Sequence, residues 1–203
     1  NNIVTIHDIA FMLFPKNFSL LFRAYYSYMI PRIMHLSKKV LTVSEFSKSE
    51  IMKHFHIDGK KIEVVYNAVS EVFKPVRKGN SEKYILAVSN MNRQKNLSCL
   101  AQAFCKLDQQ DIKLYIVGEN NSDLNNIFTR RLQQNSNIIF QGRVSDMKLA
   151  ELYSNAICFV FPSLYEGFGI PPLEAQACGC PVIVSDVASL PEVFGDSVLY
   201  CNP

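Results

Sequence analysis

Short apolar runs alternate with longer segments of helical periodicity along the whole chain. The short runs, rich in β-branched residues and bounded by polar turns, predict strands, and the longer segments predict helices. In the first part of the chain the pattern predicts strands at residues 3–6, 39–43 and 62–66. It predicts helices at residues 18–37, with Pro31 as a kink or restart, and from a Ser44 or Ser47 cap to residue 55.

A second alternating series follows a polar segment without periodicity at residues 71–83, which is interpreted as a linker. The predicted strands are 84–88, 112–117, 137–140, 156–161 and 182–184, and the predicted helices include 96–107, 123–134 and 146–153. Alternating strands and helices predict α/β domains with doubly wound parallel sheets. The predicted organisation is a first domain at 1–72, a linker at 73–82 and a second domain at 83–203.

Polar residues stand where several predicted strands end. His7, Lys95, Arg143 and Glu166 each come just after such a strand. Ligands of open parallel sheets bind beyond the carboxyl ends of the strands. The pattern therefore predicts a binding site at that edge, although each residue taken singly is more often a structural or surface group.

The segment at 162–184 concentrates the candidate chemistry. It places a glycine-containing turn, Gly167-Phe168-Gly169, and a short helix between two apolar strands, and it carries Glu166 and Glu174 eight positions apart. A helix that begins after such a turn presents free N–H groups and a positive dipole end to an anion. We expect a phosphate-bearing ligand here, with the carboxylates accepting hydrogen bonds from hydroxyls.

Other site types fit less well. The chain has no G-x-G-x-x-G, Walker A or G-x-S-x-G sequence. Two carboxylates also suggest glycoside hydrolysis, but Glu174 falls inside a predicted helix, and a lysine with a helix N-terminus has no role on a neutral glycoside. The six cysteines form no C-x-x-C pair and are interpreted as reduced thiols rather than as a zinc site. We expect neither a metal site nor a bound cofactor.

Charge is divided unevenly along the chain. The net charge of +3 divides into +6 over residues 1–79 and −3 over residues 80–203. A basic first part fits an anionic partner surface, such as a membrane, and it equally fits an ordinary solvated surface. No apolar run is long enough to span a bilayer.

Six short segments, in order, resemble motifs of the large family of retaining glycosyltransferases with the two-domain GT-B fold, glycosyltransferase family 4 or group 1, and bacterial mannosyltransferases in particular. One match alone is weak, whereas six in the right order are specific. The segments are Thr5-Ile6-His7-Asp8, Val43-Ser44-Glu45-Phe46-Ser47, Val64-Val65-Tyr66-Asn67, Arg93-Gln94-Lys95-Asn96-Leu97, the run from Phe140 to Asp146, and the E-x7-E pair Glu166 and Glu174.

The resemblance implies a role for each matching position. Glu174 would hold the ribose hydroxyls of a nucleotide sugar, and Lys95, with Arg93, would neutralise its diphosphate. Glu166 and the backbone of Gly167, Phe168 and Gly169 would bind the donor sugar and phosphate. The remaining positions are His7, which would reach the donor sugar, and Gly142, Arg143 and Val144, which would face the base.

The resemblance also implies an activity and a setting. The expected reaction transfers a hexose, mannose from GDP-mannose, with retention and without a metal, onto a glycan or lipid-linked acceptor of cell-surface polysaccharide. The expected location is the cytoplasm, at the inner face of the membrane, with no nucleic acid partner. The chain is expected to lack the start of the first domain, so that its sheet is incomplete, and the family's C-terminal helices.

Two departures from the family pattern stand out. Ser89-Asn90 replaces the usual Gly-Arg, which removes one phosphate-binding cation, and Ala68 stands where glycine is usual. A nucleotide-sugar-binding module of the same fold without catalysis is one alternative function, and a phosphorylase-like or epimerase-like relative on the same fold is another.

Overall fold

The computed structural model describes residues 2–76, 79, 82–89, 92–107, 111–118 and 135–203. The helix predicted at 123–134 and Asn90 lie outside the described residues. By their contacts, the described residues form two compact units, each built around a parallel sheet.

The first unit has three parallel strands in the order β1-β2-β3. They are β1 Ile3–Thr5, β2 Lys39–Thr42 and β3 Ile62–Val64. The helices are α1 Ala10–Leu13, α2 Leu20–Leu36 and α3 Glu45–Phe55. Single-turn 3-10 helices occur at Pro15–Asn17 and Gly59–Lys61.

Serine hydroxyls begin the two longer helices of this unit. The Ser19 side chain accepts from the Phe22 N–H at the start of α2, and the Ser44 side chain accepts from the Ser47 N–H at the start of α3. Ser44 is therefore the cap, of the two serines the sequence offered. Pro31 lies within α2, which runs as one helix of 17 residues.

A single apolar cluster joins these elements. Ile30 and Met34 of α2 pack with Val40 of β2, Ile51 of α3 and Ile62 of β3, all of them buried. These side chains alternate along the strands and recur along one helix face. Their burial stabilises the packing of the helices against the sheet.

The second unit has six parallel strands in the order β6-β5-β4-β7-β8-β9. They are β4 Lys83–Val88, β5 Ile112–Val117, β6 Ile138–Gly142, β7 Cys158–Phe161, β8 Val182–Ser185 and β9 Leu199–Cys201. After residue 96 the described helices are α4 Leu97–Cys105, α5 Asp146–Asn155 and α6 Ile170–Ala177. The short helix α7 Leu190–Phe194 follows them.

This strand order reverses direction between β4 and β7. From β4 the chain moves outward to β5 and β6, and it then returns to β7 on the other side of β4. Such a reversal in a doubly wound sheet is the place where ligands bind. The predicted parallel α/β architecture is confirmed, while β9 and α7 escaped the sequence pattern.

Two short segments from the second half of the chain do not belong to the second unit. Residues Tyr165–Gly169 and Val187–Gly195, which include α7, belong by their contacts to the first unit. The domain bounds derived from sequence, 1–72, 73–82 and 83–203, did not foresee this and stay a prediction. Among the described residues, no helix is long and apolar enough to cross a membrane.

Candidate functional site

Two loops meet at the strand-order reversal of the six-stranded sheet. The first leaves β4 through Ser89 and continues through a 3-10 turn at Arg93–Lys95 into α4. The second leaves β7 at Phe161. The Leu164 N–H donates to the Gln94 carbonyl at 2.7 Å, so the two loops are held side by side.

Lys95 lies at this junction. Its side chain is half-buried, and Nζ lies 5.0 Å from the centroid of the Phe161 ring at the end of β7. A cation over an aromatic face is attracted electrostatically to the ring. This contact places the Lys95 ammonium at the carboxyl edge of the sheet, whereas Arg93 on the same turn is exposed.

Glu174 is placed by α6, one turn into the helix. The carboxylate accepts a hydrogen bond from the Tyr153 hydroxyl at 3.1 Å through Oε2. Burial raises the pKa of Glu174, and the Tyr153 hydrogen bond opposes that rise. Among the described residues, Tyr153 is the partner recorded for this carboxylate, which leaves acceptor capacity for a ligand.

The turn that carries Glu166 is held by serine hydroxyls of the first unit. Ser44 and Ser47 both donate to the Gly167 carbonyl, at 2.7 and 3.2 Å, and Ser189 donates to the Glu166 carbonyl at 2.9 Å. All three serines are buried, as is Glu166 itself. The backbone of the turn is thus fixed by three buried hydrogen bonds rather than by a helix or strand.

His7 and Asp8 lie directly against the same turn. A Cβ at Gly167 would lie 2.8 Å from Asp8 Cβ and 3.2 Å from the His7 carbonyl oxygen. Only a residue without a side chain fits between them. The structure therefore brings the end of β1 to the turn that carries Glu166, while the His7 side chain is exposed.

The two residues that close the turn have separate constraints. Phe168 is buried, and its ring lies 6.0 Å from that of Tyr66. Gly169 has a φ of 101°, and a Cβ there would lie 2.8 Å from Leu190 Cδ2. Phe168 is therefore a packing residue through its side chain.

Glu192 on α7 completes this part of the first unit. Its carboxylate accepts from the N–H groups of Glu45 and Phe46, at 2.7 and 2.9 Å, and from the Tyr66 hydroxyl at 3.0 Å. A carboxylate at a helix N-terminus is stabilised by the free N–H groups and the dipole. The hydrogen bond from Tyr66 to Glu192 also raises the pKa of that tyrosine.

Gly142, Arg143 and Val144 lie further along the edge. Gly142 ends β6, and Arg143 and Val144 follow it. The strand β6 is two strands away from β4, which corresponds to about 10 Å at ordinary strand spacing. Gly142 has a φ of 67°, and its carbonyl accepts from the Gly118 N–H at 2.9 Å. Arg143 is exposed. Because of the two-strand separation, these residues are on the same edge as Lys95 but not beside it.

Among the described residues, no group of three or more histidine, cysteine or acidic residues could hold a metal ion.

Sequence reasoning missed the residues that support the site. Ser44 and Ser47 were considered as cap residues and as part of a family-like motif, but not as partners of the glycine turn, and Ser189, Glu192 and Tyr153 received no role. The only local signal was that two serines, Ser44 and Ser47, both lie where the N-cap of one helix is expected. Their partner Gly167 lies 123 positions from Ser44, which no local pattern can reveal.

Family models match both parts of the chain. The model described as "Glycosyltransferase Family 4" matches residues 2–72, and the model described as "Glycosyl transferases group 1" matches residues 69–202. The second alone covers more than half of the chain.

Two relatives match almost the whole chain. O-antigen chain mannosyltransferase RfbU of Salmonella typhimurium is 34% identical over 210 residues, which cover 100% of this chain and 57% of that protein. O-antigen chain mannosyltransferase B of Escherichia coli is 32% identical over 217 residues, covering 99% of this chain and 57% of that protein. The chain thus spans a little over half the length of these relatives.

Solved structures share the fold at low sequence identity. Sucrose-phosphate synthase from Thermosynechococcus elongatus has a TM-score of 0.80 and 22% identity, over 99% of this chain and 54% of that chain. Anabaena Alr3699/HepE, solved in complex with UDP-glucose, has a TM-score of 0.79 and 17% identity, over 99% and 58%. The GT-B fold predicted from the motifs is confirmed by these likenesses.

Proposed function

The chain belongs to the family 4, group 1 glycosyltransferases, as its motifs predicted, and from that premise we propose that it forms part of a retaining mannosyltransferase. The donor is GDP-mannose, and the acceptor is a glycan or lipid-linked glycan of a cell-surface polysaccharide. Similarity to two O-antigen mannosyltransferases supports the sugar and the acceptor class. The enzyme acts in the cytoplasm, at the inner face of the membrane.

The observation that carries the proposal is the pairing of two loops at the strand-order reversal. The hydrogen bond from Leu164 N–H to the Gln94 carbonyl holds Lys95 next to the segment that leads into the E-x7-E pair. A cation and a carboxylate on a helix, at the edge where sheets of this kind bind ligands, suit the diphosphate and the ribose of one nucleotide sugar.

Each residue then has one task in the reaction. Lys95, with Arg93, and the N-terminus of α6 bind the diphosphate, and Glu174 accepts hydrogen bonds from the ribose hydroxyls. Glu166 and the backbone of its glycine turn bind the mannose hydroxyls, and the exposed His7 does so from the end of β1. Gly142, Arg143 and Val144 contact the base further along the edge.

The chemical step breaks the bond between the sugar C1 and the diphosphate oxygen and forms a bond from C1 to the acceptor oxygen. GDP leaves with the electron pair, and the acceptor proton passes to the departing phosphate oxygen. The charge that develops on that oxygen is stabilised by Lys95 and the helix N-terminus, so the proposal requires no metal.

Donor choice is tested by binding. GDP-mannose, UDP-glucose and ADP-glucose are each titrated into the chain while its thermal unfolding is followed. A donor at a hundredfold excess over its dissociation constant stabilises the protein by about 2.7 kcal/mol. We expect GDP-mannose to do so, Lys95→Ala to abolish the effect, and Lys106→Ala, an exposed lysine at the end of α4, to leave it unchanged.

Catalysis is tested by transfer of labelled mannose with the protein at its full length. We expect an α-linked product from the α-linked donor, determined by NMR, and an unchanged rate in EDTA. An inverted product contradicts retention, and loss of activity in EDTA contradicts metal independence. Donor binding with no transfer to any acceptor indicates the non-catalytic module instead.

A further inference from the structure

The turn that carries Glu166 is held through its carbonyl groups. Ser189 donates to the Glu166 carbonyl, and Ser44 and Ser47 donate to the Gly167 carbonyl. Two consecutive carbonyls of the turn are thus bound by hydroxyls, and all three serines are buried. Because a peptide unit is planar, a hydroxyl that binds its carbonyl fixes the direction of the whole unit.

Fixing a carbonyl also fixes the N–H group of the same peptide bond. The two groups of a trans peptide point in opposite directions, and the described residues contain no cis peptide bond. The hydroxyl bound to the Glu166 carbonyl therefore directs the Gly167 N–H away from Ser189. In the same way, the hydroxyls bound to the Gly167 carbonyl fix the direction of the Phe168 N–H.

These two N–H groups have no recorded acceptor in the part of the chain that the structure describes. Gly167 and Phe168 are both buried, and neither N–H donates to a described backbone or side-chain group. A buried backbone N–H that lacks an acceptor is costly, so native proteins rarely keep one. The pattern indicates an acceptor supplied by a ligand, and hydroxyl and phosphate oxygens are acceptors of the right kind.

The backbone just before Ser189 has an unfavourable conformation. Ala188 has a φ of 56°, in the left-handed region that residues with a side chain rarely adopt. Such a conformation persists only where the surrounding structure determines it, and it is concentrated at functional sites. Ser189 itself is fully buried. The fold therefore maintains a strained residue next to the hydroxyl that holds Glu166.

The short helix α7, directly after Ser189, packs against the far end of the turn. A Cβ at Gly169 would lie 2.8 Å from Leu190 Cδ2 and 3.3 Å from Phe194 Cε2. Both of these side chains are buried. The segment that carries Ser189 thus touches the turn at two points, Gly169 and the Glu166 carbonyl, which restricts how far the turn can shift.

We propose that Ser189 is a positioning residue of the transfer reaction. By holding the Glu166 carbonyl, its hydroxyl sets the direction of the Gly167 N–H and the point from which the Glu166 carboxylate reaches the donor sugar. Because Ser189 is fully buried, it acts through the turn and not by touching the substrate. The inference rests on the proposed function, in which this turn binds the mannose hydroxyls while Lys95 and Glu174 bind the GDP part.

A comparison of the nucleotide sugar with the nucleotide alone isolates the contribution of Ser189. Isothermal titration of GDP-mannose and of GDP into the parent chain and into Ser189→Ala gives four dissociation constants. We expect the variant to bind GDP-mannose about tenfold more weakly, which is the effect of one hydrogen bond, and GDP within about twofold of the parent. A general loss of folded protein weakens both ligands equally.

Two further variants control for the loss of a buried hydroxyl. Ser37→Ala removes a buried serine of the same unit, whose hydroxyl donates to the Ile33 carbonyl at 2.6 Å, and we expect it to leave all the dissociation constants unchanged. Ser189→Cys keeps the space filled but donates weakly, so it should show the same selective loss even if Ser189→Ala does not fold. Circular dichroism and urea unfolding determine the folded fraction of each variant.

Transfer of labelled mannose by the protein at its full length adds the rate. We expect Ser189→Ala to lower kcat at saturating GDP-mannose by about tenfold or more, because a small misplacement of a group that orients the substrate has a large effect on rate. Ser37→Ala should leave kcat unchanged.

The outcomes separate this inference from the proposed function. A parent chain that binds UDP-glucose instead of GDP-mannose contradicts the donor assignment, and the same comparison is then made with UDP-glucose and UDP. If Ser189→Ala binds the nucleotide sugar as the parent does, or loses nucleotide sugar and nucleotide equally, the positioning role is overturned while the proposed function stands. A parent chain that binds no nucleotide sugar overturns both.

Discussion

Gly167 has no space for a side chain, and its neighbours are the stem of Asp8 and the His7 backbone rather than flexible side-chain ends. We expect Gly167→Ala to destabilise the first unit by about 1–3 kcal/mol, as other overpacking substitutions do. Gly79→Ala is the control, because a Cβ there meets nothing within 4 Å. Urea unfolding of both variants measures the difference, and equal midpoints contradict the close approach of β1 to the turn.

The burial that raises the pKa of Glu174 makes this carboxylate a cost to stability at neutral pH. A carboxyl group whose folded pKa is raised stabilises the fold while it is protonated, and that stabilisation is lost as the pH rises through the raised value. We therefore expect Glu174→Gln, which is neutral, to be at least as stable as the parent at pH 8. The advantage disappears below pH 4.5, the ordinary pKa of a glutamate.

The same variant separates stability from binding. We expect Glu174→Gln to lose donor affinity, because a neutral amide is a weaker acceptor for ribose hydroxyls. Glu151→Gln, on α5 and paired with Lys148, is the control for a carboxylate outside the site. Unfolding curves from pH 4 to pH 8 with and without GDP-mannose give both quantities. A Glu174→Gln protein that is less stable yet binds normally contradicts the assignment.

At the scale of the element, Ser44 both caps α3 and donates to a carbonyl distant in sequence. Ser145 caps α5 through the Lys148 N–H, and the structure records no second partner for it among the described residues. Loss of a cap costs about 1 kcal/mol, and loss of a buried hydrogen bond costs about as much again. We expect Ser44→Ala to destabilise the chain about twice as much as Ser145→Ala, measured by urea unfolding.

A second measurement separates packing from positioning at the same helix start. Because Ser44 holds the Gly167 carbonyl, Ser44→Ala should also lower the rate of transfer, and Ser44→Thr, which keeps the hydroxyl, should restore part of it. Ser145→Ala should leave the rate unchanged. Equal losses of stability and an unchanged rate in both alanine variants contradict a role of Ser44 in positioning the turn.

The N-terminus of α3 is also bound by Glu192, and this contact is visible through Tyr66. The hydrogen bond to Glu192 raises the pKa of Tyr66, so we expect Glu192→Gln to lower it toward 10.0. Phenolate absorbance during an alkaline titration measures the change, and Tyr66→Phe identifies which tyrosine is responsible. A titration curve that Glu192→Gln leaves unaltered contradicts the contact between α7 and the start of α3.

The elements differ in how far the sequence predicts them. Strands such as β4 and β5 follow from buried apolar runs, and the caps of α3 and α5 follow from a serine before a helical pattern. The strand β9 did not, because it is three residues long and largely exposed, and its pairing with β8 supplies what its own composition lacks. Local signals predict elements whose own burial stabilises them, and they miss elements that depend on a neighbour.

For the candidate site, the sequence motifs predict which residues to consider but not the residues that hold them in place. Glu174 was expected one turn into a helix, and it is there, but the Tyr153 hydroxyl that binds it comes from α5. Likewise, the backbone of the glycine turn was expected to bind the donor, while the groups that approach Gly167 in the fold are Asp8 and the His7 backbone. Spacing in the sequence specifies which residues share an element, whereas contacts between distant elements arise only in the fold.

At the scale of the whole molecule, the chain passes repeatedly between its two units. The first unit consists of Asn1–Ala68 together with Tyr165–Gly169 and Val187–Gly195. These two late segments supply the Gly167 carbonyl to Ser44 and the Glu192 carboxylate to α3. A division of the gene at the predicted linker would therefore remove both from the first unit.

The last prediction follows from that composition. Residues 1–72 alone form three short strands, and they lack the segments that accept hydrogen bonds from the Ser44 hydroxyl and from the N–H groups at the start of α3. A chain of this size is marginally stable even when it is complete. We expect the 1–72 fragment to show no cooperative thermal unfolding, and an equimolar mixture with residues 69–203 to recover it. A mixture in which the 69–203 fragment carries Gly167→Ala should recover cooperative unfolding less well. A sharp transition in the isolated 1–72 fragment would mean that segments 165–169 and 187–195 only rest on a unit already stable without them.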